Sequence, residues 1–136
     1  CFGEPFMPMH PGVYADLLSE KIDTHNASVW LINTGWTAGP YGIGHRMKIP
    51  HTRAMLNAAL NGELDEVKYV KDKRFGFEIP LECPDVPNEV LLPNLTWSNQ
   101  NDYDNTADKL ANMFIANFSR YADGVKIEVA NSGPQI

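Results

Sequence analysis

The sequence predicts one domain of the α/β class, and three observations favour this class. The chain has 136 residues, 43% apolar and 21% charged, which is enough to bury one core and close to globular averages. A helical pattern near the start is followed at once by a short run that is apolar on both faces, as in a strand covered on both sides of a sheet. Ten prolines and ten glycines are spread along the chain, which indicates many turns between short elements.

The first elements are a helix, a strand and a loop. Apolar residues recur every three or four positions from His10 to Thr24, which predicts a helix with Pro11 in its first turn. The run Ser28 to Ile32 (SVWLI) is the predicted buried strand. The segment NTGWTAGPYGIGHR holds four glycines in the ten positions from Gly35 to Gly44, so we expect this whole segment to be a loop.

The middle of the chain predicts a strand, a helix and a hairpin. Met47 to Ile49 is a short candidate strand, and Thr52 to Leu60 is a compact helix that Gly62 ends. Val67 to Val70 and Phe75 to Ile79 alternate as the two arms of a hairpin around the turn KDKR.

The last third predicts one long helix. A segment with four prolines, PLECPDVPNEVLLPNLTW, indicates an ordered, extended crossing of the surface. From about Asn101 to Tyr121 the apolar residues keep a three-and-four spacing over several turns, which predicts a helix packed on a core. Gly124 is the expected end of that helix.

Charge and composition exclude several classes of function. The formal charge is −6, from 17 acidic and 11 basic residues, so the field repels nucleic acid and anionic lipid. No apolar run approaches the length of a membrane span, and the first residues lack the pattern of a signal peptide. Cys1 and Cys83 are too few for a disulfide framework, which favours a reducing compartment. The opening residues contain no initiator Met, and we expect a fragment.

Motifs for phosphate binding, metal binding and nucleophilic catalysis are weak. The loop from Gly39 has the spacing of a Walker A motif, but His45 and Arg46 stand where that motif needs Lys and Ser or Thr. A surface loop is the ordinary alternative. The four histidines show no metal-ligand spacing and are expected to be exposed or capping. We therefore predict no metal ligands and no catalytic residues in this chain.

The segment from His45 to Arg53 is the best candidate for a ligand site. Arg46, Lys48 and Arg53 lie between the glycine-rich loop and the start of a predicted helix. Free N–H groups and the positive end of a helix dipole suit an anionic or electron-rich ligand. The alternatives are that Thr52 is a helix N-cap and that the arginines form surface ion pairs.

Three blocks of the sequence closely resemble the C-terminal part of ATP-dependent phosphoenolpyruvate carboxykinases. They are CFGEPFMPMHPGVYADLLSEKI, VWLINTGWTAGPYGIGHRMKIPHTRAML and FGFEIPLECPDVPNEVLLPNLTW. The resemblance includes the order and spacing of the three blocks and extends over essentially the whole chain. The resemblance implies that residues 1–136 are the C-terminal portion of the mononucleotide-binding domain of a larger enzyme, with a mixed sheet and flanking helices. It also implies conversion of oxaloacetate and ATP to phosphoenolpyruvate, ADP and CO₂, a cytosolic step of gluconeogenesis.

Within that family, the resemblance assigns Arg46, Met47 and Thr52 to the adenosine end of the ATP pocket. It places the phosphate-binding loop and the residues holding Mg²⁺ and Mn²⁺ upstream of this segment. The expected partners are ATP, oxaloacetate and the missing N-terminal part of the enzyme, with no nucleic acid and no membrane. The loop TAGPYGIGH resembles one branch of the family, since other members have a shorter loop. The alternative function is a non-catalytic interaction module.

Overall fold

The structure, a computed structural model, describes residues 3–136 as helices joined by turns and two short hairpins. In chain order the elements are a 3₁₀ turn at Glu4–Phe6, α1 (Pro11–His25), β1 (Trp36–Thr37), β2 (His45–Arg46), α2 (Ile49–Leu60), β3 (Tyr69–Lys71), β4 (Glu78–Pro80), α3 (Asn88–Leu91), α4 (Pro93–Thr96), α5 (Gln100–Phe118) and α6 (Ile127–Asn131).

Helices and small sheets occur together, which is consistent with the α/β class. The expected mixed sheet is not formed by the part of the chain that the structure describes. Within residues 3–136, β1 pairs only with β2 and β3 only with β4, both antiparallel. No strand in that range joins the two pairs, so the sheets remain two-stranded.

The first predicted helix is confirmed, and its ends have clear physical causes. The His10 imidazole caps α1, since its Nδ1 accepts a hydrogen bond from the Gly12 N–H at 3.1 Å. Asn26 ends the helix in the left-handed conformation, with φ of 47°. The helix buries little of its apolar face, because Leu17 and Leu18 are 50% and 61% exposed.

The strand predicted from Ser28 to Ile32 is wrong. This segment is extended but has no strand partner among the residues that the structure describes. Val29 and Leu31 are 64% and 76% exposed, while Trp30 and Ile32 are half-buried. A run that is apolar on both faces becomes a buried strand only where neighbouring strands pair with its backbone.

The second helix begins earlier than predicted. α2 starts at Ile49 because Pro50 fits the first helical turn, where a missing N–H costs nothing. The short strand predicted from Met47 to Ile49 is therefore wrong. Gly62 closes the helix as predicted, with φ of 72° and a hydrogen bond from the Glu63 N–H to the Ala58 carbonyl at 2.9 Å.

The predicted hairpin is confirmed, although its two strands start two and three residues later than predicted. Val70 pairs with Ile79 in β3 and β4. The turn is held by Asp72, whose carboxylate accepts hydrogen bonds from the backbone N–H groups of Arg74 (3.0 Å) and Phe75 (2.6 Å). A second hairpin, β1 with β2, lies inside the stretch predicted as loop.

The long helix is confirmed, but its end is not where Gly124 stands. α5 ends at Phe118, capped by Ser119 in a right-handed turn. Gly124 lies further on, in a turn before α6. The proline-rich crossing is not extended throughout, since it contains the short helices α3 and α4.

The core is small and lies beneath α2. Ala58, Leu64, Cys83 and Val86 form its buried centre, with Trp30 and other half-buried apolar residues packed against it. α5 buries Ala111 completely but leaves Phe114 54% exposed. Much apolar surface of the described residues is therefore open.

Candidate functional site

The glycine-rich segment forms an ordered hairpin that presents Arg46. Trp36 pairs with Arg46, and Thr37 pairs with His45. The Ile43 and Gly44 N–H groups both donate to the Pro40 carbonyl, at 3.0 and 2.9 Å. A Cβ at Gly44 would lie 2.4 Å from the carbonyl oxygens of Thr37 and Gly39, so only glycine fits this position.

The structure places the three predicted site residues close together in the chain but in different environments. Arg46 is exposed at the end of β2. Met47 is only 7% exposed, and its N–H donates to the Gly35 carbonyl at 2.7 Å. Thr52 is half-buried inside α2, and its N–H donates to the Lys48 carbonyl at 3.1 Å. Thr52 is therefore not an N-cap, because helix residues precede it.

Three cations lie near the start of α2 in the sequence. Arg46, Lys48 and Arg53 are all exposed, and none of them forms an ion pair with another described residue. Lys48 occupies the N-cap position without a side-chain cap, which leaves the first N–H groups of the helix open. We call Arg46, Lys48, Arg53 and the open helix start the cationic corner. It is positive in a chain whose net charge is −6, so it attracts anions.

His51 was expected to be exposed or capping, and that prediction is wrong. Its Nδ1 atom is buried and has no hydrogen-bond partner among the described residues. The indole Nε1 of Trp30 is buried and unpartnered in the same way. Sequence reasoning missed both atoms. His51 as a whole is half-buried, and the sequence around it carries no signal that separates a buried Nδ1 atom from an exposed one.

A groove of about 1050 Å³ runs between the extended segment 28–33 and the β3–β4 hairpin. Met47 lines it, whereas Arg46 and Thr52 do not. Its lining is mainly apolar, and its polar members include Tyr69, whose hydroxyl donates to the Leu64 carbonyl at 2.7 Å. Burial, together with nearby Asp65 and Glu78, raises the pKa of Tyr69. The groove is therefore a poor host for phosphate, and none of Arg46, Lys48 and Arg53 lines it.

Two further features concern metals and membranes. Within residues 3–136, no three His, Cys, Asp or Glu side chains are placed to hold a metal ion together. None of the helices in that range has both the length and the apolar character of a bilayer span. Cys83 is a free, buried thiol, and Cys1 lies outside the described residues.

The sequence matches a model of the phosphoenolpyruvate carboxykinase family over residues 1–89. It is 57% identical over 135 residues to the phosphoenolpyruvate carboxykinase (ATP) of Thermus thermophilus, covering 99% of this chain and 26% of that protein. The proteins of the same name from Brevibacillus brevis and Alkaliphilus oremlandii are 53% and 52% identical over 136 residues, again covering all of this chain and 26% of theirs. The chain thus spans about a quarter of the length of these relatives. On these matches, the chain belongs to the phosphoenolpyruvate carboxykinase family.

Proposed function

We propose that this chain is one part of a longer, cytosolic, ATP-dependent carboxykinase and contributes the adenosine side of its ATP pocket. The enzyme would convert oxaloacetate and ATP to phosphoenolpyruvate, ADP and CO₂ at the start of gluconeogenesis. Five relatives named phosphoenolpyruvate carboxykinase (ATP) align with 98% or more of the chain at 50 to 57% identity.

The observation that carries the adenosine assignment is the unpaired cationic corner at the start of α2. An exposed guanidinium that no carboxylate neutralises is available to an incoming anion or purine. Arg46 meets this description, with Lys48 and Arg53 nearby in the chain and the open helix start between them. Arg46 can stack on the base or reach toward a phosphate.

Met47 and Thr52 support the same assignment in different ways. The backbone hydrogen bond from Met47 to Gly35 fixes the residue after Arg46, and its thioether gives an apolar, polarisable wall. The Thr52 hydroxyl offers a donor and an acceptor one turn into α2. Together these groups would orient the nucleoside, and alignment is a major part of phosphoryl-transfer catalysis.

The residues present do not fit the divalent metals that this chemistry requires. No cluster of three ligating side chains exists within the described range, so no step of the reaction is assigned to a metal on this chain. We propose that the metal ligands and the triphosphate loop lie in the remaining three quarters of the enzyme.

The test is steady-state kinetics of the complete enzyme carrying this chain. Arg46→Ala should raise the KM for ATP about tenfold, because a hydrogen bond to a charged group contributes about 1.5–3 kcal/mol and 1.4 kcal/mol is a factor of ten. Thr52→Val should raise it about fivefold, since a neutral hydrogen bond contributes about 1 kcal/mol. The KM for oxaloacetate should stay within about twofold of the wild-type value in both variants.

Two controls match these variants in chemistry. Lys109→Ala removes one exposed, unpaired charge from α5, and Thr24→Val removes one exposed hydroxyl from α1. Neither should change the KM for ATP. An equal effect of Arg46→Ala on both substrates, or no effect on either, would contradict the adenosine assignment.

A further inference from the structure

The hairpin that carries Arg46 is tied to a distant part of the chain by one side chain. The Thr96 hydroxyl, at the end of α4, lies 3.2 Å from the Ala38 N–H and 3.4 Å from the Thr37 hydroxyl. It also donates to the Pro93 carbonyl at 2.7 Å. Because a hydroxyl has one hydrogen, Thr96 must accept from both Ala38 and Thr37.

Within the described part of the chain, no other distant residue forms a hydrogen bond with this hairpin. Every other hydrogen bond of residues 35–47 has its partner within residues 33–47. Beside the Thr96 contact, a cavity of about 250 Å³ separates the loop from the start of α5, with Ile43 on one side and Asn105 on the other. The loop is therefore not packed tightly there. Met47 is buried at the other end of the segment, and near Ala38 the Thr96 hydrogen bonds tie the hairpin to the rest of the described chain.

The anchored residue is itself held in an unfavourable backbone conformation. Ala38 has φ of 62°, the left-handed region that residues with a Cβ rarely adopt. Such a conformation persists only where the surroundings hold it, and the hydrogen bond from its N–H to Thr96 is one such restraint. Thr37, next to it, pairs with His45, and Trp36 pairs with Arg46. A shift at Ala38 is thus passed across the ladder to Arg46.

We propose that Thr96 is a positioning residue for ATP: it acts through the hairpin to hold Arg46 at the nucleotide. This inference rests on the proposed role of Arg46. Thr96 would not touch the nucleotide, and its effect would require the Arg46 side chain.

The experiment compares Thr96→Val, Thr96→Ser and the double variant Arg46→Ala/Thr96→Val in the complete enzyme. Thr96→Val keeps the shape but removes the acceptor, so we expect the KM for ATP to rise about fivefold with the KM for oxaloacetate unchanged. Thr96→Ser keeps the hydroxyl, so its KM for ATP should rise by less than half as much as that of Thr96→Val. In the double variant the KM for ATP should equal that of Arg46→Ala alone, because Thr96 acts through Arg46.

A second measurement does not depend on ATP. Trypsin cleavage after the exposed Arg46 reports opening of the hairpin, and Thr96→Val should speed it about fivefold while Thr96→Ser and Thr24→Val do not. If Thr96→Val does not fold, Thr37→Val takes its place. Thr37→Val removes one of the two hydrogen bonds that Thr96 accepts from the hairpin. It should raise the KM for ATP and the rate of trypsin cleavage by a smaller factor.

The outcomes separate the two proposals. If Arg46→Ala raises the KM for ATP but Thr96→Val does not, the positioning role is overturned and the adenosine assignment stands. Additive effects in the double variant would also overturn it. If Arg46→Ala leaves the KM for ATP unchanged, the adenosine assignment fails, and the positioning role fails with it even where trypsin shows that Thr96 anchors the hairpin.

Discussion

The environment of a single residue decides what its chemistry can be. Arg46 and Arg74 carry the same side chain, but Arg74 is bound by two carboxylates while Arg46 has no such partner among the described residues. Only an arginine without a carboxylate partner, such as Arg46, is free to bind a ligand. The same reasoning separates Met47, which is buried in the groove wall, from Thr52, which is half-buried in the helix beside the cations.

Cys83 gives a prediction that depends on pH. It is 6% exposed in the core, and burial, with the charges of Glu63 and Asp85, raises the pKa of its thiol. The fold therefore favours the protonated thiol. Its contribution to stability is present below the ordinary thiol pKa of about 8.5 and is lost as the pH rises through the higher native value.

We expect alkylation of Cys83 by iodoacetamide, followed by mass spectrometry, to have its pH midpoint higher in the native enzyme than in urea. Glu63→Gln should lower the native midpoint, because it removes one of the charges that disfavour the thiolate. Glu66→Gln, an exposed acid on the same turn, should leave it unchanged. The same midpoint in native protein and in urea would show that the fold does not perturb this thiol.

At the scale of elements, Arg74 joins the β3–β4 hairpin to α5. Its guanidinium pairs with Asp104 at 3.0 Å and with Asp108, and it lies 5.9 Å from the centre of the Tyr103 ring. Its side chain is only 18% exposed. The hydrogen bond to Asp108 is the main reason that the pKa of Arg74 is raised in spite of burial.

Replacing Arg74 should loosen α5. Arg74→Met leaves two half-exposed carboxylates without their partner, and we expect a loss of about 1–2 kcal/mol of local stability. Hydrogen exchange of the amides in the first half of α5 should speed about tenfold. Lys126→Met breaks the exposed pair with Asp16 and should change local stability by less than about 0.5 kcal/mol. Equal effects of the two changes would contradict a special role for Arg74.

Elements with their own local signal could be predicted from the sequence, and elements that depend on distant partners could not. α1, α5 and the β3–β4 hairpin follow from apolar spacing and turn residues. The strand predicted at SVWLI fails because pairing is not a local property. The β1–β2 hairpin could not be predicted, because its glycines indicate a loop. The early start of α2 follows from Pro50, which fits the first turn of a helix.

The residues of the candidate site also differ in whether the local sequence could predict them. Arg46 and Thr52 could be proposed from a motif, since the residues that define the motif are contiguous in the sequence. Thr96 could not, because it lies 58 and 59 residues from the atoms that it binds. Nothing in the segment PNLTW distinguishes an anchoring hydroxyl from an exposed one.

At the scale of the whole molecule, the chain covers 26% of its relatives and leaves much apolar surface open. We expect the purified chain alone to show no carboxykinase turnover and to bind ATP at least about a hundredfold more weakly than the complete enzyme, since the triphosphate and metal contacts would be absent. Calorimetry and a coupled assay of phosphoenolpyruvate formation measure the two quantities.

The matched experiment places this chain in the Thermus thermophilus relative, in exchange for the 135 residues with which it aligns. This hybrid should form phosphoenolpyruvate, and its Arg46→Ala variant should need more ATP. Turnover by the chain alone would contradict the proposal that the metal ligands and the triphosphate loop lie elsewhere in the enzyme. A folded but inactive hybrid would favour the non-catalytic interaction module instead.

The anchor at Thr96 also bears on how such enzymes diverge. The residues matched by the family model include the loop and end at position 89, before Thr96, whereas the relatives align with both segments. We expect relatives with a shorter loop to vary freely at the position of Thr96, and relatives with the long loop to keep a hydroxyl there. Recombination that moved the loop without its distant anchor would then yield offspring with a nucleotide pocket that is present but poorly aligned.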